Sequence, residues 1–170
     1  YARNYPSGSL AAHILGWTDF EGNGAAGVEL QYDKHLKGKE GRHVFFLDSA
    51  RRLVRIKEEQ SPVVDGTGLI LTIDSSIQQF TRQALYNRWK EYEAESAVAV
   101  VMEPKTGAVL AMVSLPDYDP SQVGASDRDT WRNRVLTDPY EPGSILKPIV
   151  TAIAVDAGVI SGNTIIDCEN

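Results

Sequence analysis

Hydrophobic and polar positions change rhythm partway along the chain. Over the first sixty residues the apolar runs are short and cut by turn formers, with Gly22, Gly24, Gly27, Gly38 and Gly41 among them. Residues 10–15 predict a short helix, with Ser9 placed to cap its first turn. Residues 44–47 and 53–56 are brief β-prone runs on either side of Asp48-Ser49-Ala50-Arg51-Arg52, the order of a strand, a turn and a second strand. Residues 58–68 are polar and carry Pro62, Gly66 and Gly68, which predicts a linker.

Beyond that stretch the periods sharpen. Leu69-Ile70-Leu71-Thr72-Ile73 predicts a strand ending at Asp74. Asp74 or Ser75 is placed to cap a helix, with Gln78 three after Ser75 in capping-box spacing. Ile77, Phe80, Ala84, Leu85 and Trp89 then recur near the helical period. Residues 97–102 and 108–113 predict a hairpin about Glu103-Pro104-Lys105-Thr106-Gly107, whose early proline and late glycine suit a reversal. Residues 114–129 form a Pro-, Asp- and Ser-rich loop, and 131–136 a short irregular piece. Pro142-Gly143 halt the chain before a helix over 144–157, with Leu146, Ile149, Val150, Ile153 and Ala157 as its apolar stripe. Strand, helix, hairpin, loop and helix make an α+β order, an antiparallel sheet flanked by helices.

A chain of 170 residues has room for one domain and a small appendage. Its 42% apolar and 24% charged content excludes a disordered or collagen-like polymer. No apolar run approaches the roughly 18–20 residues that span a bilayer. The chain opens on Tyr1 in mid-pattern, so it reads as a piece of something longer. One cysteine, Cys168, excludes an internal disulfide and a cysteine-based metal site, and His13, His35 and His43 lack metal-ligand spacing. No metal or cofactor is expected. Residues 1–66 carry 9 Lys+Arg and 9 Asp+Glu, while residues 67–170 carry 8 and 14, so the second part supplies the whole net charge of −6. A nucleic-acid surface needs a basic stripe, so no nucleic-acid partner is expected. Trp17, Trp89, Trp131 and His13 read as packing residues; Tyr118 and Asp119, on the long loop, are candidates to border a site.

The chemistry centres on Tyr140-Glu141-Pro142-Gly143-Ser144-Ile145-Leu146-Lys147-Pro148. A serine hydroxyl is a poor nucleophile near neutral pH and needs a base within hydrogen-bond reach. Ser144 and Lys147 stand three apart, and on a helix such positions share a face. With the helix starting at Ser144, its hydroxyl lies beside first-turn N–H groups that favour negative charge. Pro148, four after Ser144, suits a helix beginning at or just before the serine. A lysine acting as base must have its pKa brought down from about 10.4 by roughly three units, about 4 kcal/mol, which burial supplies when no carboxylate intervenes. Glu141 opposes this if it reaches the amine. Ser-x-x-Lys alone is a weak signal, since a serine before an amphipathic helix is commonly only its cap.

The surrounding residues add a resemblance. Tyr-Glu-Pro-Gly-Ser-x-x-Lys-Pro resembles the nucleophile segment of the class B penicillin-binding proteins, serine D,D-transpeptidases that cross-link peptidoglycan; Ser-x-x-Lys is the first of their three motifs. Leu71-Thr72-Ile73-Asp74 with Ile77-Gln78 is similar to the entry to their transpeptidase domain, and residues 101–112 to its first hairpin. Arg3-Asn4-Tyr5-Pro6, Leu10-Ala11-Ala12-His13 and Gly27-Val28-Glu29 resemble their non-catalytic pedestal, with wording closest to the cell-division branch. The resemblance implies that residues 1–66 end a small β-rich pedestal of dimerisation type and that 67–170 begin a transpeptidase domain. It implies Ser144 as nucleophile and Lys147 as base, and no cofactor. Its implied partners are a stem peptide ending in D-Ala-D-Ala, β-lactam antibiotics and other division proteins. It also implies a membrane-anchored parent whose catalytic domain faces the periplasm or exterior.

Two departures qualify the resemblance. The family's Ser-x-Asn motif lies well beyond its nucleophile, whereas Ser161-Gly162-Asn163 follows Ser144 by only 17 residues and reads as a turn. Lys105-Thr106-Gly107 precedes the serine and also reads as a turn, not as the family's late Lys-Thr-Gly strand. The 170 residues are therefore expected to be inactive by themselves. The alternatives are a serine β-lactamase or β-lactam sensor, which share Ser-x-x-Lys, and a non-catalytic division scaffold. The pedestal-like opening disfavours the first, and a scaffold predicts that function survives loss of Ser144.

Overall fold

The computed structural model describes residues 3–167, with backbone alone over 42–47 and 53–60; Tyr1 and Cys168 lie outside the described residues. In chain order the elements are α1 (Ala12–Leu15), α2 (Gly27–Gln31), α3 (Asp33–Leu36), β1 (Arg42–Leu47), β2 (Leu53–Ser61), α4 (Ser75–Glu91), β3 (Ala97–Met102), β4 (Val109–Leu115), α5 (Arg134–Thr137) and α6 (Leu146–Asp156). Short 3-10 turns lie at Gly8–Ala11, Pro120–Ala125, Arg128–Trp131 and Gly143–Ile145. The fold is α+β, and both described sheets are two-stranded and antiparallel. The chain forms two compact stretches, one ending at Thr137 and one beginning at Asp138.

In the first stretch, β1 and β2 pair about the predicted turn. The Asp48 carboxylate accepts the N–H groups of Ala50 (2.8 Å) and Arg52 (2.9 Å), the short-range bonding that makes aspartate a turn former. β2 runs on to Ser61, into residues predicted as linker. Pro62 has no N–H to extend the ladder, but Val64 then bridges Lys39 through bonds of 2.7 and 3.0 Å, and Thr67 N–H reaches the His35 carbonyl at 2.7 Å. Residues 58–67 are thus tied down by backbone bonding, correcting the linker reading.

The helix predicted over 10–15 divides into a 3-10 turn and α1. Ser9 lies inside that turn and caps nothing; its hydroxyl instead accepts from Arg82 Nη2 at 3.2 Å. α1 and α2 meet through glycine, since a Cβ at Gly16 would sit 1.8 Å from the Ala26 carbonyl oxygen and one at Gly27 would sit 2.6 Å from Ile14 O. Both glycines also have positive φ, +76° and +56°, which side chains rarely adopt.

The β3–β4 hairpin forms with Ala99 opposite Val113 and Val101 opposite Ala111. Lys105-Thr106-Gly107 occupies its turn, closed by Gly107 N–H to Glu103 O at 2.8 Å with Gly107 at φ +74°. β4 supplies much of the core: Ala111, Val113, Ser114 and Leu115 are all buried.

α4 packs against this strand, capped by Asp74, whose Oδ1 accepts the N–H groups of Ser76 and Ile77 at 2.9 Å each. Gln78 forms no capping box. It is 1% exposed, accepts from Met112 N–H (2.8 Å) and donates to the carbonyls of Met112 (2.9 Å) and Leu10 (2.8 Å). Its amide therefore stands where a neighbouring strand would pair with β4. This explains a second departure: residues 69–73 form no strand, because beyond the bonds from Asp74 N–H to Leu110 O (2.9 Å) and Thr72 Oγ1 to Val109 O (2.6 Å) that edge is occupied by Gln78. The predicted stripe of α4 is also rotated. Phe80 is 76% exposed, whereas Ile77, Gln78, Thr81, Arg82, Leu85 and Trp89 are buried or half-buried.

Gln78→Leu leaves three backbone groups without a partner. Since each buried unsatisfied group costs about 1–3 kcal/mol, the expected loss is about 3 kcal/mol or more. Urea unfolding of the full-length protein checks it, and a loss below about 1 kcal/mol would show that water replaces the amide.

The long loop is more ordered than its composition predicts. Asp119 caps the Pro120–Ala125 turn through Ser121 N–H at 2.8 Å. Tyr118 is buried and donates its hydroxyl to the Ala12 carbonyl at 3.1 Å, which makes it a core residue. Trp17 and Trp131 pack edge to face with centroids 5.6 Å apart. The irregular piece predicted at 131–136 overlaps the single turn of α5. There Arg134 is buried, ion-paired with Asp129, and its N–H meets Ser114 Oγ at 3.2 Å.

Candidate active site

The second stretch, Asp138 onward, carries Ser144 and Lys147. Pro142 holds φ at −71° and Gly143 turns to φ +51°, so the chain enters a 3-10 turn at Gly143–Ile145. Ile145 N–H bonds to Pro142 O at 3.1 Å. Pro148 has no N–H to bond the Ser144 carbonyl, which explains why the α-ladder does not begin at the serine. α6 starts two residues later, at Leu146, and places Pro148 in its first turn, where a missing N–H costs nothing. The expected helix start at Ser144 is corrected accordingly: the hydroxyl sits in the turn that leads into the helix.

Lys147 lies in the first turn of α6, three residues after Ser144 along one continuous turn-to-helix run. Both side chains are exposed, and among the described residues neither makes a hydrogen bond or an ion pair. Glu141 therefore does not neutralise Lys147. Thr151, four residues on, donates its hydroxyl to the Lys147 carbonyl at 2.8 Å. The polar residues of α6 are Lys147, Thr151 and Asp156, and apolar residues occupy the rest of its circumference. Leu146, Ile149, Val150, Ile153 and Val155 are each between 46% and 63% exposed. A helix apolar on nearly every side is normally buried on nearly every side. Ser161-Gly162-Asn163 forms a turn, with Thr164 N–H on Ser161 O at 3.0 Å.

Residues 1–71 match the family described as penicillin-binding protein dimerisation domain, and residues 97–170 match the penicillin-binding protein transpeptidase domain. The chain belongs to the penicillin-binding proteins. Among curated members, it is 37% identical over 158 residues to the probable peptidoglycan D,D-transpeptidase PenA of Neisseria meningitidis, a match covering 92% of this chain and 27% of that protein. It is 36% identical over 166 residues to the peptidoglycan D,D-transpeptidase FtsI of Escherichia coli, covering 97% of this chain and 28% of the relative. A solved penicillin-binding protein 3 from Mycobacterium tuberculosis aligns with a TM-score of 0.78 at 30% identity, over 97% of this chain and 34% of that one; the same protein has been solved with ampicillin. The chain spans about a quarter of the curated relatives it matches. Its fold is a partial penicillin-binding transpeptidase fold. Among the described residues no helix of this penicillin-binding protein is long and apolar enough to cross a membrane.

The hydrophobic period missed the polar contacts that hold the first stretch together, notably Gln78 and Arg82. Their spacing of four on α4 was the available signal, but it is shared by any polar helix face.

Proposed function

We propose that this chain is part of a peptidoglycan D,D-transpeptidase in which Ser144 is the acylated nucleophile and Lys147 its base. The observation that carries the reading is the Tyr-Glu-Pro-Gly-Ser-x-x-Lys-Pro segment, on a proline-interrupted turn-to-helix run inside the stretch matched to the transpeptidase family. Lys147 takes the Ser144 proton as Oγ attacks the penultimate D-alanine carbonyl of a stem peptide. The proton passes to the departing amine of terminal D-alanine, leaving an ester on Ser144. An amine from a neighbouring strand attacks that ester, re-forming the hydroxyl and completing the cross-link. The Ser144 backbone N–H serves as one donor to the oxyanion.

The all-round apolar surface of α6 supports this assignment. A helix with so much apolar surface suits a position packed within a larger domain. β-Lactams acylate the same hydroxyl, in keeping with the ampicillin complex of the mycobacterial relative. The likeness to FtsI points to septal wall synthesis with division proteins as partners, in a membrane-anchored parent whose catalytic domain faces the periplasm or exterior. On this reading the pedestal and its linker end at residue 66 and the transpeptidase domain begins at residue 67.

Incubating the full-length protein with a fluorescent penicillin, digesting it and sequencing the labelled peptide tests the reading: the label is expected on Ser144, and a label on another residue overturns it. A polypeptide limited to these 170 residues is expected to label at least tenfold more slowly than the full-length protein, because no second oxyanion donor or substrate-carboxylate anchor is assigned within it. Equal rates would show that the site is complete here.

A further inference from the structure

Gly143 stands immediately before the proposed nucleophile, and its backbone lies in the left-handed region, with φ +51°. A position can require glycine for two separate reasons: a neighbour too close for a Cβ, or a φ that a Cβ disfavours. Gly16 and Gly27 combine the two, since a Cβ at either would sit 1.8 or 2.6 Å from a backbone oxygen and both have positive φ. Gly143 separates them. Apart from its chain neighbours, no described atom lies within 4 Å of where its Cβ would stand. Conformation alone is left to account for glycine here.

We propose that Gly143 is a positioning residue for acyl transfer, whose left-handed backbone fixes how Ser144 and its N–H stand relative to the chain leading into the site. The proposal rests on Ser144 being the acylated serine. The peptide that joins Gly143 to Ser144 carries the N–H proposed as oxyanion donor, so the torsions at Gly143 aim that donor. Upstream, the Pro142 ring locks φ, here −71°, which makes Gly143 the joint nearest the serine that can turn freely about φ.

The turn is closed across this joint, because Ile145 N–H bonds the Pro142 carbonyl at 3.1 Å. Rotating Gly143 to negative φ swings Ser144 and the helix behind it as one piece and opens that bond. The spacing of Ser144 and Lys147 survives, since both lie beyond the joint. What changes is the aim of the pair toward the substrate. An oxyanion donor is effective only at about 2.7–3.1 Å from the developing charge, so a small swing carries a large loss of rate. A side chain at position 143 thus shifts the turn toward negative φ and leaves fewer molecules with the serine in place.

Second-order rate constants for acylation of the full-length protein by a chromogenic cephalosporin test this with three variants. Gly143→Ala is expected to react about 5- to 30-fold more slowly, the equivalent of the roughly 1–2 kcal/mol that left-handed backbone costs an ordinary residue. Gly143→Asn is larger but tolerates positive φ, and is expected to react about threefold or more faster than Gly143→Ala. Gly143→Val, β-branched and least tolerant of positive φ, is expected to be slowest. Melting temperatures are expected to stay equal, because position 143 is exposed. An alanine variant as fast as or faster than the asparagine variant overturns the proposal, since size would then decide, or nothing at all. Rates that fall only in step with melting temperature overturn it too. Sequencing the labelled peptide of Gly143→Ala keeps the two ideas apart. A label away from Ser144 removes the nucleophile assignment, whereas a label on Ser144 with the wrong order of rates removes only the role of Gly143.

Discussion

Ser144→Ala in the full-length protein leaves its intact mass unchanged after exposure to penicillin, whereas the unsubstituted protein gains the mass of one whole penicillin molecule. The whole-molecule gain follows from the bonds involved. Ser144 Oγ adds to the lactam carbonyl, the C–N bond of the ring breaks, and the serine proton ends on the released nitrogen, so no atom leaves. Removing Oγ removes the only atom that joins the two molecules. The folded state is expected to be preserved: Ser144 is exposed and, among the described residues, its hydroxyl bonds to nothing, and such surface changes usually stay within about 0.5 kcal/mol. Equal melting temperatures for the two proteins would separate lost chemistry from lost structure. An undiminished adduct on the alanine variant would remove Ser144 from the mechanism, and a septal-growth defect absent from cells carrying it would favour a scaffold.

Lys147→Met is expected to slow penicillin acylation by roughly 10²–10⁴-fold, the usual contribution of a positioned general base. Methionine keeps the length and apolar stem of lysine and removes only the amine, so packing around α6 is largely maintained. Lys147→Arg is expected to fare no better, because a guanidinium keeps its protons and cannot accept one. Stopped-flow acylation with a chromogenic cephalosporin distinguishes binding from the acyl step. A loss confined to the acyl step supports the base, while a loss confined to binding makes Lys147 a substrate contact instead. The absence of an ion pair to Glu141 among the described residues matters here, because a firm carboxylate partner would hold the amine protonated.

Local features were legible where a few neighbouring residues decide the outcome. Asp48 makes its own turn, Asp74 caps its own helix, and Gly107 closes its own hairpin. The spacing of Ser144 and Lys147 and the interruption by Pro148 are of the same kind, though the α-helix itself begins two residues later than the serine. The face that α4 buries was legible only in part. Of the stripe Ile77, Phe80, Ala84, Leu85 and Trp89, the first and the last two are half-buried while Phe80 and Ala84 are exposed, and the helix docks also through Gln78 and Arg82, whose partners lie on Leu10, Met112 and Asp117. Residues 69–73 have every β-prone feature and still form no strand, because strand formation depends on an edge that Gln78 already occupies.

From the residues in order came the α+β arrangement, the hairpin, the turns and the pairing of a hydroxyl with an amine three positions later. Each of these rests on contacts within about one helical turn or one reversal, so propensity and spacing carry the information. Folding in three dimensions decided which polar groups are buried and what satisfies them. Leu10 and Gln78 are 68 positions apart, and His13 and Thr130 are 117 apart. A buried amide or imidazole is tolerated only where its hydrogen bonds are met, and no local period records a partner so distant.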